Sequence, residues 1–229
     1  MPKVGPPHIK QWIGLCHGMD GYVCLPPEVD WNMPDICCLQ GQYHDLIQPK
    51  AIQPFLERII NVRGDGHCGY RAVARALCYS DLTGYHQVRQ NLYDELQVHK
   101  DIYKEILGKD FAFYERNIRC LEDKATKNQW MVMPAMGHIM ANKYARPVHY
   151  YSGGSSPSST FLPFFTFDPS NPPIILALVK QHFLTLRFKT PTYPIPPVNQ
   201  FWHKYVKPPG KAWQAHLKPL LDEWSKLCI

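Results

Sequence analysis

The residues best suited to chemistry lie in the run Gly64-Asp65-Gly66-His67-Cys68-Gly69-Tyr70-Arg71-Ala72. A free thiol has a pKa of about 8.5 and is mostly protonated at neutral pH, so a nucleophilic cysteine needs a base or a favourable field. Two glycines and an aspartate form a turn here, and Val73, Ala76 and Leu77 follow at helical spacing, which predicts Cys68 at or near a helix N-terminus. Unpaired N–H groups at such a terminus favour negative charge on sulfur and can hold an oxyanion. Asp65 is expected to brace the loop by accepting backbone hydrogen bonds. Spacing alone leaves a second reading equally open, a buried structural cysteine after a common GDG turn. The candidate base is His182, at the head of HFLTLRF. A histidine at a strand edge can face a helix N-terminus packed on the sheet. On its own, a histidine before an apolar strand is more often an ordinary surface or edge residue, and the chain has eleven histidines.

The surrounding elements must bring these two positions together. Residues 1–50 are rich in proline, glycine and aromatics without periodicity, and predict an extended arm. A short helix is expected near Pro54, with Phe55, Ile59 and Ile60 on one face. Residues 85–107 predict one or two amphipathic helices broken near 98–99; Tyr114, Ile118 and Leu121 repeat the helical spacing, and AMGHIMANKY is another short helix. ARPVHYYS, FLPFFTF, IILALV and HFLTLRF read as strands, with GGSSPSS a flexible loop. Helices first and strands later predict an α+β domain, a helical lobe packed on a mostly antiparallel sheet, with its core over 51–190. Residues 191–229 are expected to form a proline-rich surface wrap and a terminal helix carrying Trp213, Leu217, Leu220, Leu221 and Trp224.

Composition excludes several classes. With 45% hydrophobic and 19% charged residues the chain is globular. It has no long apolar run and its opening lacks an apolar signal segment, so an intracellular protein of cytoplasm or nucleus, without a membrane partner, is expected. The net charge of +6 is spread without a dense basic block, which argues against nucleic acid as a partner. Eight scattered cysteines argue against a disulfide framework. Cys16, His17, Cys24, Cys37 and Cys38 lack the close pairs that aim two thiolates at one zinc ion, so neither metal nor cofactor is expected.

The run GDGHCGYRA resembles the cysteine motif D-G-x-C-x-[FY]-R-[AS] of the ovarian tumour (OTU) family of deubiquitinases. His182 followed by Phe183 resembles the family's histidine motif, and Trp130-Met131 with the helix over 136–144 resembles its middle block, Met136 standing where tryptophan is common. The likeness spans roughly 55–190. It is most like OTU segments associated with Mutator-like transposable elements, through GDGxCGYRA, the Trp-Met pair and the PIPPV…FW…AW tail. The resemblance implies a papain-like cysteine protease fold, with Cys68 as nucleophile, His182 as base and Asp65 supporting the loop. It implies hydrolysis of isopeptide bonds at the C-terminus of ubiquitin, with ubiquitin, polyubiquitin chains or a ubiquitin-like modifier as partner. The family often places an acidic residue or asparagine two positions after the histidine; Leu184 occupies that place. Thr185, Asp168, or the upstream Asp35 or Asp45 are the candidates to orient His182 instead. The alternative is an OTU-fold ubiquitin-binding module with weak or no activity. Trp202, Trp213 and Trp224 read as anchors of the tail, Tyr70 as packing under the helix, and His67 as lining the cleft.

Overall fold

The computed structural model describes residues 43–153 and 156–227. Most of the expected arm, with Cys16, His17, Cys24, Asp35, Cys37 and Cys38, lies outside them. In chain order the described elements are β1 (Leu56–Ile60), α1 (Cys68–Ala76), α2 (Gly84–Val98), α3 (Lys100–Leu107), α4 (Phe111–Ile118) and α5 (Gly137–Tyr144). They continue with β2 (Val148–Ser152), β3 (Ser159–Phe161), β4 (Ile174–Val179), β5 (His182–Phe188), α6 (Gln200–Tyr205) and α7 (Ala212–Leu227). The fold is α+β. The sheet runs β1-β5-β4-β2-β3; β2 and β4 are parallel and the other neighbours antiparallel. No helix among the described residues is long and apolar enough to cross a membrane.

Both faces of the sheet are covered, which explains why IILALV is apolar at every position. Leu176 and Phe183 pack with Tyr70, Val73, Val88 and Met140 of the helical lobe. Their alternates Ala177, Leu184 and Leu186 face a second core with Trp202, Trp213 and Leu217, the period of two that a pleated strand imposes. The break expected near 98–99 separates α2 from α3 at His99.

Four sequence expectations are corrected. Residues 56–60 form a strand, preceded by a short 3-10 turn at Lys50–Phe55. A register irregularity between Leu56 and Arg58 interrupts the alternation, so Leu56 and Ile59 are both buried three residues apart, which mimics a helical stripe. In FLPFFTF only Phe161 belongs to a strand; Pro163 follows, and Phe164 donates its N–H to the Asn142 side chain. The proline-rich wrap is not a surface feature over Tyr193–Pro196. Tyr193 stacks on Phe188 at 4.0 Å, and the carbonyls of Pro194 and Pro196 accept bonds from Tyr151 and Thr160. The tail anchors through indoles, Trp202 donating to the Pro163 carbonyl and Trp213 to that of Thr166. Leu121 lies beyond α4 and is exposed.

Candidate active site

Cys68 is the first residue of α1, so its backbone N–H has no acceptor within the helix. The turn before it depends on Gly66, whose φ is +87° and where a Cβ would stand 2.2 Å from the Ala125 carbonyl oxygen. Gly69 lets Met131 approach to where a Cβ would meet it at 2.5 Å. Asp65 holds this loop from several sides. Its carboxylate accepts the His67 N–H at 3.1 Å and the Arg71 guanidinium at 2.8 and 3.0 Å, while its carbonyl accepts the Ala125 N–H. Burial alone would raise the Asp65 carboxyl, but Arg71 and the His67 N–H together bring it below the usual carboxylate range.

His182 opens β5 directly after a two-residue hairpin turn in which Lys180 and Gln181 both have positive φ, 48° and 67°. Its Nε2 lies 2.7 Å from Oδ1 of Asn61, and the same Oδ1 accepts the Val62 N–H at 2.8 Å. An atom that accepts from a backbone N–H must be the amide oxygen, so Nε2 carries the proton and Nδ1 of the neutral ring keeps its lone pair. Asn61 follows β1, whose antiparallel pairing with β5 matches Ile60 to Thr185; one further step brings the asparagine alongside the start of β5.

The Cys68 sulfur lies against the backbone N–H groups of Phe183, the residue after His182, and of Gly69. Asp65 acts electrostatically on both Cys68 and His182. The structure thus gathers the three sequence candidates Cys68, His182 and Asp65 in one place. Burial pushes the thiol above its ordinary value, with the Phe183 and Gly69 N–H groups opposing. Burial likewise holds the His182 imidazole below its ordinary value, against the Val62 backbone. Both shifts favour the uncharged forms, whereas the helix terminus alone suggests a lowered thiol pKa. Desolvation of a charge at this buried position outweighs the helix-end field.

Asn61 occupies the orienting place for which the sequence offers Thr185, Asp168, Asp45 and Asp35. Thr185 donates its hydroxyl to the Ala72 carbonyl at 2.9 Å, tying β5 to α1. Asp168 closes its own turn through Ser170 and Asn171. Asp45 is exposed beside His44, and Asp35 lies outside the described residues. The sequence signal for Asn61 is its position at the end of LERII, visible only once that run is read as a strand. His67 does not line a cleft; it is fully buried. Tyr70 packs under α1 and donates to Asn117 at 2.9 Å. No group of metal-ligating side chains occurs among the described residues. Beside the Lys180–Gln181 turn a cavity of about 390 Å³ opens between Leu46, Gln48, Ser156 and Leu178.

Over 131 residues the chain is 30% identical to "OVARIAN TUMOR DOMAIN-containing deubiquitinating enzyme 6" of Arabidopsis thaliana, covering 53% of this chain and 24% of that protein. Over 113 residues it is 31% identical to "OTU domain-containing protein 5-A" of Danio rerio, covering 49% of this chain and 19% of that protein. The chain therefore matches only a minor part of each relative's length. Among solved structures, the OTU domain of OTUD1 is 18% identical with a TM-score of 0.46, covering 65% of this chain and 95% of that one. The Hazara virus OTU bound to ubiquitin is 17% identical with a TM-score of 0.43, covering 60% and 84%. No known family's sequence profile matches the chain.

Proposed function

We propose that the chain is an OTU-type thiol protease that hydrolyses isopeptide bonds at the C-terminus of ubiquitin, with Cys68, His182 and Asn61 as its working residues. The observation that carries this reading is the Asn61–His182 bond beside the Cys68 helix terminus. It supplies a base with a defined lone pair, an orienting group and a buried thiol in one site. The similarity to the plant deubiquitinating enzyme supports the choice of substrate.

In the proposed reaction Nδ1 of His182 takes the thiol proton as sulfur attacks the carbonyl of the C-terminal glycine. The tetrahedral oxyanion forms at the N-terminus of α1, where the Cys68 N–H can donate to it. The imidazolium, held by Asn61 Oδ1, then protonates the departing lysine amine and leaves a thioester on Cys68. Water, deprotonated by His182, releases the carboxylate and restores the thiol. Asp65 does not touch the reacting atoms in this scheme. It keeps the loop shaped through Arg71 and the His67 N–H. A site that forms the thiolate only as the base removes its proton needs His182 well oriented, which is the part Asn61 plays. Its presence removes the reason for preferring an inactive binding module, namely the missing polar residue after His182.

The test is cleavage of isopeptide-linked diubiquitin by the whole chain, alongside Cys68→Ala and His182→Ala. Turnover that disappears in Cys68→Ala and falls by about two orders of magnitude or more in His182→Ala is expected. Binding of diubiquitin without turnover by the unaltered chain would favour the binding module.

A further inference from the structure

Arg89 of α2 is 2% exposed, and no carboxylate among the described residues is ion-paired with it. All five of its N–H groups are used. Nη1 donates to the carbonyls of Asn117 and Ile118, at 2.8 and 3.2 Å. Nη2 donates to the Gln129 carbonyl at 2.8 Å. Nε and Nη2 both reach Nδ1 of His67, at 3.2 and 3.1 Å. The guanidinium lies 3.6 Å over the Tyr70 ring. One buried cation thereby joins α2, the end of α4, the segment before Trp130 and the residue that caps α1. Burying a charge without a counter-ion costs several kcal/mol unless hydrogen bonds replace its water. A methionine would fill similar space at no such cost.

The His67 contacts leave that ring one state. A guanidinium only donates, so Nδ1 must accept; Nε2 faces the Glu122 carbonyl at 2.9 Å, which only accepts, so Nε2 must carry the proton. We propose that Arg89 is a positioning residue for the nucleophile: it locks His67 as one neutral tautomer and so fixes the loop and helix start that present Cys68. This rests on the reading of Cys68 as nucleophile. The other groups facing His67 are the rings of Tyr85 at 4.4 Å and His86 at 6.4 Å, and the charges of Asp65 and Arg71. Burial, Arg89 and Arg71 oppose a protonated ring; the Glu122 carbonyl and the Asp65 charge favour it, and the balance holds His67 below its ordinary value. Without Arg89, Nδ1 loses its donor and His67, one residue before Cys68, becomes free to titrate.

The test follows alkylation of Cys68 by iodoacetamide, read by mass spectrometry of its peptide from about pH 5 to about pH 9, in Arg89→Met, Arg89→Lys, His67→Asn and Arg89→Met/His67→Asn. This readout needs no ubiquitin, so a chain that fails on diubiquitin yet shows the expected Arg89 dependence faults the substrate and leaves the inference standing. Folded Arg89→Met is expected to react about tenfold more slowly or worse at neutral pH. Its profile should gain an inflection near about pH 6–7 that disappears in the double variant. His67→Asn, whose Oδ1 can take the place of Nδ1 toward Arg89 but which has no titrating ring, should show no inflection near about pH 6–7. Lysine, a point charge with three donors, should not restore the rate. If Arg89→Met fails to fold, Arg89→Lys decides on the same two measures. A folded Arg89 variant with unaltered rate and profile overturns the inference.

Discussion

At the scale of single residues the proposed chemistry turns on Asn61, a neutral amide where a carboxylate would do the same orienting work. A carboxylate favours the imidazolium; an amide orients the ring without adding charge. Asn61→Asp is therefore expected to raise the His182 pKa, and the acidic limb of the rate–pH profile should move to higher pH; an unmoved limb would show that Asn61 does not touch the base in solution. Asn61→Ala should lower kcat by about 10- to 100-fold with little change in KM. Thr185 offers the contrast. Its hydroxyl serves the α1 carbonyl of Ala72, so Thr185→Val should cost about 1–2 kcal/mol in denaturant unfolding while kcat stays within about threefold. A kcat loss as large as that of Asn61→Ala would return Thr185 to the role considered for it from sequence.

At the scale of elements the site is a helix start set against a strand start, joined by two turns. Gly66→Ala places a Cβ against the Ala125 carbonyl at a backbone angle that L-residues avoid. It should lower stability by about 1–3 kcal/mol and slow Cys68 in the protein that remains folded; a melting temperature equal to the unaltered chain's would contradict this. The helix start was legible in GDGHCGYRA because turn residues and helical spacing agree there. So was β5, because HFLTLRF carries the branched and aromatic residues of a strand. Asn61 was not legible. The irregular pairing of β1 made LERII look helical, and a residue after a helix has no reason to sit beside β5. The sense of the thiol shift escaped for a related reason: sequence places Cys68 at a helix end but does not give the depth of its burial.

At the scale of the whole molecule two histidines are held neutral far from the site. His149, on β2, is pushed down to about 3 and His138, on α5, to about 4, both by burial. Each takes up its proton near about pH 6.5 in the unfolded chain and only at much lower pH in the folded one. Their contribution to stability is thus intact above about pH 6.5 and is lost as pH falls toward the folded values, by about 1.4 kcal/mol per pH unit for each. At about pH 5 the pair should cost about 4 kcal/mol, a large share of a domain's usual stability. Urea unfolding across this range should show the midpoint falling steeply below about pH 6; a flat midpoint down to about pH 4.5 would contradict it. The same two-sided burial explains why the tail belongs to the fold: Trp202 and Trp213 close the face of the sheet opposite α1.

The most direct test of the central claim is reaction of the whole chain with ubiquitin carrying a C-terminal electrophile, followed by mass spectrometry of the adduct. One ubiquitin bound covalently at Cys68, absent in Cys68→Ala and formed much more slowly in His182→Ala and Asn61→Ala, is the predicted result. An adduct at another cysteine, or none at any ubiquitin concentration, would contradict it.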